Sequence, residues 1–221
     1  EGGHERPEIE TRNVFCLDIA QGCAGFIVGL IQAFLLLDQS TIRRVALVNV
    51  DVLSRKVSRR DRNSYPLIGD AASIVIVENG GDEPIFGDVR FDGGRGDALK
   101  IPAGGMRLPS SEETRREKEV GDGNFRAPDN LVMDGSAVFN FVQSEVPPLI
   151  EDLLNYAGVQ PDQVERFVFH QPNRFMLQKL ADRLKLPYFK VPMGVVERFG
   201  NSSGVTIPIA LASECEDLLR G

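Results

Sequence analysis

Three apolar segments in the first third of the chain have the length of β-strands. They are residues 14–20 (VFCLDIA), 45–50 (VALVNV) and 72–77 (ASIVIV). Because their apolar positions are continuous and do not alternate, they predict strands in sheets covered on both faces, as in layered α/β folds. The apolar segment from Cys23 to about Leu37 predicts a long buried helix after the first strand.

The middle of the chain has a different character. Residues 88–130 are rich in glycine, proline and charge, which predicts a long excursion over the surface. A helix is predicted from about Asp134 to Tyr156, and the Pro147–Pro148 pair is expected to kink it or to split it into two helices.

The last third repeats the order strand, reactive residue, helix that occurs around Cys23. A strand at 166–169 leads into His170, and a helix follows from about Asn173 to Leu184. The remaining predicted elements are a short strand near 188–192, the loop GNSSG at 200–204 and a helix to about Leu219. This weak repeat indicates two similar halves whose strand ends face one centre.

Composition narrows the class of protein. With 221 residues, 42% of them hydrophobic, the chain can bury the core of one large domain or of two closely joined halves. Its net charge of −7 and pI near 5.0 argue against nucleic-acid binding. No apolar run reaches the roughly 18 residues of a membrane span, so we expect no membrane association.

Cysteine and histidine are scarce. Three cysteines without a CxxC pair argue against a disulfide framework or a zinc site. Only two histidines are present, which argues against a His-rich metal centre. We therefore expect no metal site, and a protein of the reducing cytoplasm.

Cys23 has the setting of a nucleophile. It lies between small residues in QGCAG, where a strand is predicted to pass into a helix. At a helix N-terminus the macrodipole favours the thiolate, so we expect the pKa of Cys23 to fall. A buried core cysteine is the alternative interpretation. Cys16 and Cys215 lack flanking glycines and are interpreted as core or surface residues.

His170 and Asn201 are weaker candidates when each is taken alone. His170 ends an apolar strand, where a histidine is more often structural than catalytic. Asn201 lies in FGNSSG, and asparagine and glycine are ordinary turn residues.

Six motifs occur in one order along the chain: DIAQGCAGF, DRNSYPLIGDAAS, IPAGGMRLPSSEET, MDGSAVFNF, FHQPNRFMLQKLADRL and RFGNSSGVTIPIAL. Together they resemble β-ketoacyl-acyl carrier protein synthase III, a family of thiolase-fold condensing enzymes, from Val14 to about Leu219. The resemblance implies an α/β, thiolase-like layered αβαβα fold built from two similar halves. Residues 1–130 would form part of the N-terminal half, and residues 131–221 part of the C-terminal half.

The resemblance also implies a mechanism. Cys23 would take an acyl group from acyl-CoA as a thioester, while His170 and Asn201 would hold the thioester carbonyl of malonyl-acyl carrier protein. Two donors at that oxygen would stabilise the enolate formed on decarboxylation, and its carbon would attack the acyl-Cys23 thioester. The reaction would initiate fatty-acid synthesis in a homodimer, with acyl-CoA and acyl carrier protein as partners and no cofactor.

The resemblance implies five further candidates for substrate binding. Arg62 would contact the CoA nucleotide, Phe139 would line the acyl-pantetheine channel, and Asn173 would lie near the pantetheine. Ser136 stands where the family often has a larger polar or basic side chain. Arg174 lies one place before the position that is commonly basic where carrier protein docks.

Two departures at the chain ends leave alternatives open. Fewer residues precede Val14 than in the family, and no Gly-rich turn follows to supply the second backbone donor of the oxyanion hole. We therefore expect a fold truncated at both ends and poor activity of the isolated chain, because losing one such donor typically costs about 10²–10³ in rate. The alternatives are a related acyltransferase, a secondary-metabolite ketosynthase with the same triad, and a non-catalytic partner subunit or inactive fragment.

Overall fold

The computed structural model describes residues 14–39, 41–81 and 83–219, which form helices, short strands and connecting 3-10 turns. The helices are α1 (Gly25–Leu37), α2 (Gly135–Ala157), α3 (Arg174–Leu184), α4 (Val195–Phe199) and α5 (Thr206–Glu214). The strands are β1 (Arg44–Val52), β2 (Asp70–Glu78), β3 (Leu99–Lys100), β4 (Lys118–Gly121), β5 (Asn124–Arg126) and β6 (Val132–Met133). Within the described residues, no helix is both long and apolar enough to cross a membrane.

Strands β1 and β2 confirm two of the predicted strands and form an antiparallel pair, in register from Arg44 opposite Glu78 to Val52 opposite Asp70. The predicted cover on both faces is wrong for the described chain. One face of the pair packs on α1, where a Cβ on Gly29 would lie 2.6 Å from Leu47 Cδ1. The other face is open, and its exposed side chains include Val48, Val50, Ile74 and Ile76. The burial of each strand therefore alternates although its sequence does not.

Three predicted strands do not form. Residues 14–20 have no regular structure, and Phe15 is 70% exposed. Residues 166–169 and 188–192 share one backbone hydrogen bond, from Phe167 N to Lys190 O at 2.8 Å. A strand requires a continued ladder with a neighbour, and one bond does not provide it.

Helix α2 runs unbroken through Pro147 and Pro148, so the expected split does not occur. Its N-cap is Asp134, whose carboxylate accepts from Ala137 N at 2.9 Å, and its C-cap is Gly158, with φ of +68°. Helices α2 and α3 confirm the predicted helices there. Partly buried side chains of α2 pack on the principal core cluster, whose buried members are Phe167, Leu177, Ala181, Leu186, Val191 and Met193.

The predicted excursion over 88–130 is mostly irregular but contains two short strand pairs, β3 with β6 and β4 with β5. The last predicted helix is shorter than expected. Helix α5 ends at Glu214, and a separate 3-10 turn covers Glu216–Leu219.

Candidate active site

Asn201 is held in place by an unusually close passage of two backbone segments. Asn201 N donates to Leu67 O at 2.6 Å and Gly69 N donates to Asn201 O at 3.1 Å. A Cβ on Gly69 would lie 2.1 Å from Phe199 O, and one on Gly200, at φ +74°, would lie 2.7 Å from Gly69 Cα. Glycine is therefore required on both sides of the crossing that fixes the Asn201 backbone.

Residues 200–206, which we call the Asn201 turn, fold on themselves through Ser203. Ser203 has φ of +53°, in the left-handed region that non-glycine residues rarely adopt. In this conformation its N–H donates to Asn201 Oδ1 at 2.9 Å. The side-chain oxygen of Asn201 is thus occupied, and the Nδ2 group is the part of the amide left to act as a donor.

Cys23 reaches the same turn from the other end of the chain. It lies in a 3-10 turn, Gly22–Ala24, directly before α1, and is half-buried. Ser203 Oγ donates to Cys23 Sγ at 3.8 Å, a long hydrogen bond to sulfur. Close backbone approach permits this contact, since a Cβ on Gly204 would lie 3.0 Å from Gly22 O.

His170 joins the turn through Thr206. Its Nδ1 lies 2.7 Å from Thr206 Oγ1, and that hydroxyl also accepts from Gln171 N at 3.1 Å. The fully buried Gln171 side chain donates to the carbonyls of Phe169 and Pro192, at 2.9 and 3.0 Å. These bonds hold the loop that carries His170 without the strand that the sequence predicted.

The structure therefore places Cys23, His170 and Asn201 around one turn. Ser203 contacts Cys23 through its hydroxyl and Asn201 through its N–H, and its carbonyl accepts from Thr206 Oγ1 at 3.0 Å. The three predicted residues are spread over positions 23 to 201 of the sequence, yet the Asn201 turn connects them through Ser203 and Thr206. Such a group has the parts of a nucleophile and two hydrogen-bond donors.

The electrostatics of Cys23 differ from expectation. Burial raises the pKa of its thiol above the usual value, the Ser203 hydrogen bond opposes this, and the charge of Asp51 adds to the rise. The predicted fall in this pKa is therefore wrong. Helix α1 begins only at Gly25, so Cys23 lies before its first turn, where desolvation of the thiolate outweighs the favourable effect of the helix.

His170 is neutral near pH 7. Burial lowers its pKa from the ordinary value to about 4, although the carbonyl of Ser203 acts in the opposite direction. A neutral imidazole carries a single N–H, so it can act as a donor from only one of its two nitrogens at a time.

The predicted binding residues lie on surrounding elements. Arg62 is exposed, and its guanidinium donates to Asp122 O at 2.6 Å. Asn173 caps α3 by accepting from Met176 N at 2.8 Å. Arg174 is exposed and paired with Glu197, which raises the pKa of Arg174 through their hydrogen bond.

The other two binding candidates lie on α2. Ser136 is exposed in its first turn. Phe139 stacks on the ring of Phe175, with ring centroids 5.9 Å apart, and so joins α2 to α3. Among the described residues, no hydrogen bond, ion pair or ring contact joins any of the five binding candidates to Cys23, His170 or Asn201.

Ser203, Thr206 and Gln171 were missed as separate candidates. All three lie inside the motifs FHQPNRFMLQKLADRL and RFGNSSGVTIPIAL, but no local pattern marks a serine that adopts a positive φ. Hydrophobic periodicity also gives no information about hydroxyl contacts between distant segments, such as that of Ser203 with Cys23. Only the position of each residue next to Asn201 or His170 could have drawn attention to it.

Comparison with known proteins gives one consistent family. The model of 3-oxoacyl-[acyl-carrier-protein] synthase III matches residues 17–93, and the model of its C-terminal region matches residues 154–219. Together the two matches cover well over half of the chain. A beta-ketoacyl-[acyl-carrier-protein] synthase III from Synechococcus sp. (strain WH7803) is 32% identical over 211 residues, which are 95% of this chain and 60% of the relative.

Solved structures agree. A crystal structure of a 3-oxoacyl-(acyl-carrier-protein) synthase III is similar with a TM-score of 0.85 and 34% identity, over 93% of this chain and 61% of that one. A 3-oxoacyl-(acyl-carrier-protein) synthase from Burkholderia xenovorans LB400 has a TM-score of 0.78 and 32% identity, over 91% and 56%. The predicted thiolase-like α/β fold is thereby confirmed. The chain spans about 60% of the length of the relatives it matches.

Proposed function

This chain belongs to the 3-oxoacyl-[acyl-carrier-protein] synthase III family, and from that premise we propose that it carries the chemistry of a decarboxylating Claisen condensation that initiates fatty-acid synthesis. The proposed substrates are an acyl-CoA and malonyl-acyl carrier protein. The observation that supports this most directly is the Asn201 turn, whose hydrogen bonds connect Cys23, His170 and Asn201.

In the first proposed step, Cys23 is acylated. Its sulfur attacks the carbonyl of the acyl-CoA, the bond to the CoA sulfur breaks, and the thiol proton leaves with CoA as free thiol. The hydrogen bond from Ser203 supports this role, because it stabilises the thiolate that burial disfavours.

In the second proposed step, malonyl-acyl carrier protein loses CO2. The carbon–carbon bond to the carboxylate breaks, and its electron pair moves onto the thioester oxygen. Asn201 Nδ2 and one ring N–H of His170 are the proposed donors to that oxygen, which is more basic in the enolate than in the ground state. The neutral state of His170 and the occupied Asn201 Oδ1 support this assignment.

In the third proposed step, the enolate carbon attacks the acyl-Cys23 carbonyl. A carbon–carbon bond forms, the carbon–sulfur bond breaks, and Cys23 is released for another cycle. These steps use only the two substrates and the side chains named.

Substrate binding remains a set of proposals. Arg62 would contact the CoA nucleotide, Phe139 would line the acyl-pantetheine channel, and Asn173 would lie near the pantetheine. Ser136 would also contact substrate, and Arg174 would lie where carrier protein docks. The stack of Phe139 on Phe175 supports a channel wall, because it places two aromatic rings together between α2 and α3. We also propose a homodimer in the cytoplasm.

The division at residue 130 likewise stays a proposal. In it, residues 1–130 supply Cys23, and residues 131–221 supply His170 and Asn201. The contacts of Ser203 with Cys23 and of Asn201 with Ile68 support a site made where the two parts meet.

The proposal is tested by following each step on this chain. Radiolabelled acetyl-CoA should leave label on the protein, and Cys23→Ala should remove it. Cys16→Ala is the matched control, because Cys16 is exposed and should leave labelling unchanged. Addition of malonyl-acyl carrier protein should then release CO2 and transfer the label to a β-ketoacyl product.

Each alternative has its own outcome. Labelled Cys23 with no CO2 release or product would favour a plain acyltransferase. Label that persists in Cys23→Ala would remove Cys23 from the mechanism. Neither label nor CO2 release from a folded chain would favour a non-catalytic subunit or inactive fragment.

A further inference from the structure

The β4–β5 hairpin lies against residues 60–62. Phe125 N donates to Arg60 O at 3.2 Å, and the guanidinium carbon of Arg60 lies 3.3 Å from the centre of the Phe125 ring. Beside them, Arg126 Nε pairs with Oδ2 of the buried Asp61 at 2.7 Å. The hairpin therefore supports this segment through backbone, ring and charge contacts together.

Arg62 is held by the hairpin at its backbone and at its guanidinium. Arg62 N donates to Asn124 Oδ1 at 2.9 Å, and Arg62 Nη2 donates to Asp122 O at 2.6 Å. The side chain of Asn124, which is only 4% exposed, also donates from Nδ2 to Gly121 O at 3.1 Å. One buried amide thus links the backbone of Arg62 to the turn that receives the Arg62 side chain.

The turn of the hairpin has a defined backbone conformation. Its two central residues are Asp122, with φ of +51°, and Gly123, with φ of +71°. Positive φ at both positions is what a type I′ hairpin turn requires, and Asp-Gly is a preferred sequence for it. Because the turn fixes the direction of the Asp122 carbonyl, it also fixes the guanidinium that donates to that oxygen.

The positive charge of Arg62 is left available by these contacts. A guanidinium has five N–H donors, and the neutral Asp122 carbonyl takes one of them. In the part of the chain that the structure describes, no carboxylate pairs with Arg62. By contrast, Arg60 pairs with Glu117, with 3.5 Å between Nη1 and Oε2. Arg62 therefore offers a held cation with free donors, which suits a phosphate-bearing ligand.

We propose that Asn124 is a positioning residue for coenzyme A binding: it holds the hairpin turn against Arg62, so that the Arg62 guanidinium faces the anionic nucleotide of the acyl-CoA. This inference rests on the proposed function, in which Arg62 contacts that nucleotide. Asn124 acts through Arg62 and does not touch the ligand. A thioester without the nucleotide should therefore not respond to a change at Asn124.

Coenzyme A binding tests the inference without turnover. Isothermal titration calorimetry with CoA should show binding about 10- to 100-fold weaker in Arg62→Ala, because bonds to a charged group are lost. Asn124→Ala should weaken binding about 3- to 10-fold, since the guanidinium remains but is no longer held. The double variant should bind no more weakly than Arg62→Ala, because the two residues act in series.

Labelling of Cys23 gives the second readout. At low concentrations of radiolabelled acetyl-CoA, Asn124→Ala should slow labelling by the same factor, about 3- to 10-fold. Saturating acetyl-CoA should restore the rate, because the KM rises and kcat does not. Acetyl-pantetheine, which has the thioester but no nucleotide, should label wild type and variant equally. A general disturbance of the fold would slow both substrates.

Matched variants separate Arg62 from the rest of the surface excursion. Asn130→Ala is the control for the amide: Asn130 Oδ1 also accepts from a backbone N–H three residues away, at 2.8 Å, but does not contact Arg62. Gly123→Ala strains the turn at its exposed tip, and should weaken CoA binding even if Asn124→Ala does not fold. Gly158→Ala, with φ of +68° at the end of α2, is its control and should not.

The inference is overturned if Asn124→Ala keeps its affinity for CoA, or if its effect persists undiminished in the Arg62→Ala background. Equal slowing with acetyl-CoA and acetyl-pantetheine, or a wild type that binds no CoA, would also overturn it. If CoA binds and the two residues are coupled, but Cys23 is not labelled and no CO2 is released, the proposed function fails and the role of Asn124 stands.

Discussion

The two sides of the candidate site are built very differently. In the Asn201 turn, Ser202, Ser203 and Thr206 are buried, and the backbone of Asn201 is bonded on both sides to the segment around Gly69. The segment before Cys23, residues 14–22, lacks regular structure over its first eight positions and exposes large apolar side chains such as Phe15. Among the described residues, the side chain of Cys23 is hydrogen-bonded to Ser203 Oγ alone.

The difference indicates that the donors are preorganised more firmly than the nucleophile. His170 and Asn201 are fixed by bonds within and around a buried turn, whereas the position of Cys23 depends on close backbone packing and one long contact to sulfur. Decarboxylation and acylation should therefore respond differently to substitutions on the two sides.

The largest expected effect separates the two steps. Substituting His170→Ala or Asn201→Ala should lower CO2 release from malonyl-acyl carrier protein by about 10²–10³-fold, because each removes one donor to the enolate oxygen. Acylation of Cys23 should change by only a few-fold. The two rates are measured separately, by CO2 release and by label on the protein. Equal loss of both steps would contradict the division between the two sides.

A second prediction tests how firmly His170 is buried. The pKa of His170, about 4, lies below the ordinary histidine value of 6.5. Between about pH 4 and pH 6.5 the imidazole is therefore protonated in the unfolded chain but neutral in the folded chain. Stability should be fully present above about pH 6.5 and fall as pH drops toward 4, by about 2–3 kcal/mol from this group.

Urea unfolding at neutral pH and near pH 4.5 measures this effect as the difference between the wild type and His170→Gln. His4→Gln is the control for a histidine outside the described residues. If the wild type and His170→Gln lose the same unfolding free energy between neutral pH and about pH 4.5, His170 has an ordinary pKa. The conclusion that His170 is more firmly buried than Cys23 would then be wrong.

Gly69→Ala should disturb the Asn201 turn and leave the segment around Cys23 unchanged. The added Cβ would lie 2.1 Å from the backbone oxygen of Phe199, so the crossing must open and shift Asn201. The expected loss is about 1–3 kcal/mol of unfolding free energy, as for other overpacked sites, with CO2 release falling more than Cys23 labelling. Gly80→Ala, with no atom within 4 Å of its Cβ, is the control beyond the other end of β2. If both variants behave alike, the close crossing does not position Asn201.

The same contrast explains what could be predicted from sequence. Helix α1, strands β1 and β2 and helix α3 were predictable because a local pattern along the chain indicates each of them. The strands at 14–20 and 166–169 were not correctly predicted, since a strand also needs a paired neighbour, which a local pattern does not contain. The triad candidates followed from motifs, whereas Ser203 and its positive φ depend on contacts between distant segments.

The smallest expected effect concerns the hydrogen bond from Ser203 Oγ to Cys23 Sγ, which joins Cys23 to the buried Asn201 turn. Ser203→Ala removes the hydroxyl that stabilises the thiolate, so the pKa of Cys23, already raised by burial, should rise further. Loss of one hydrogen bond is worth about 1 kcal/mol, and acylation at neutral pH should slow by roughly tenfold or less. The pH dependence of iodoacetamide alkylation measures the thiol pKa directly.

Ser202→Ala is the matched control, because Ser202 is the buried neighbour and its hydroxyl has no hydrogen-bond partner among the described residues. Ser203→Gly separates backbone from side chain: it removes the same hydroxyl but suits the φ of +53°. The glycine variant should therefore raise the thiol pKa as alanine does, yet be the more stable of the two. An unchanged alkylation profile in both variants would mean that the Ser203 hydroxyl does not act on Cys23, and that backbone packing alone joins the nucleophile to its donors.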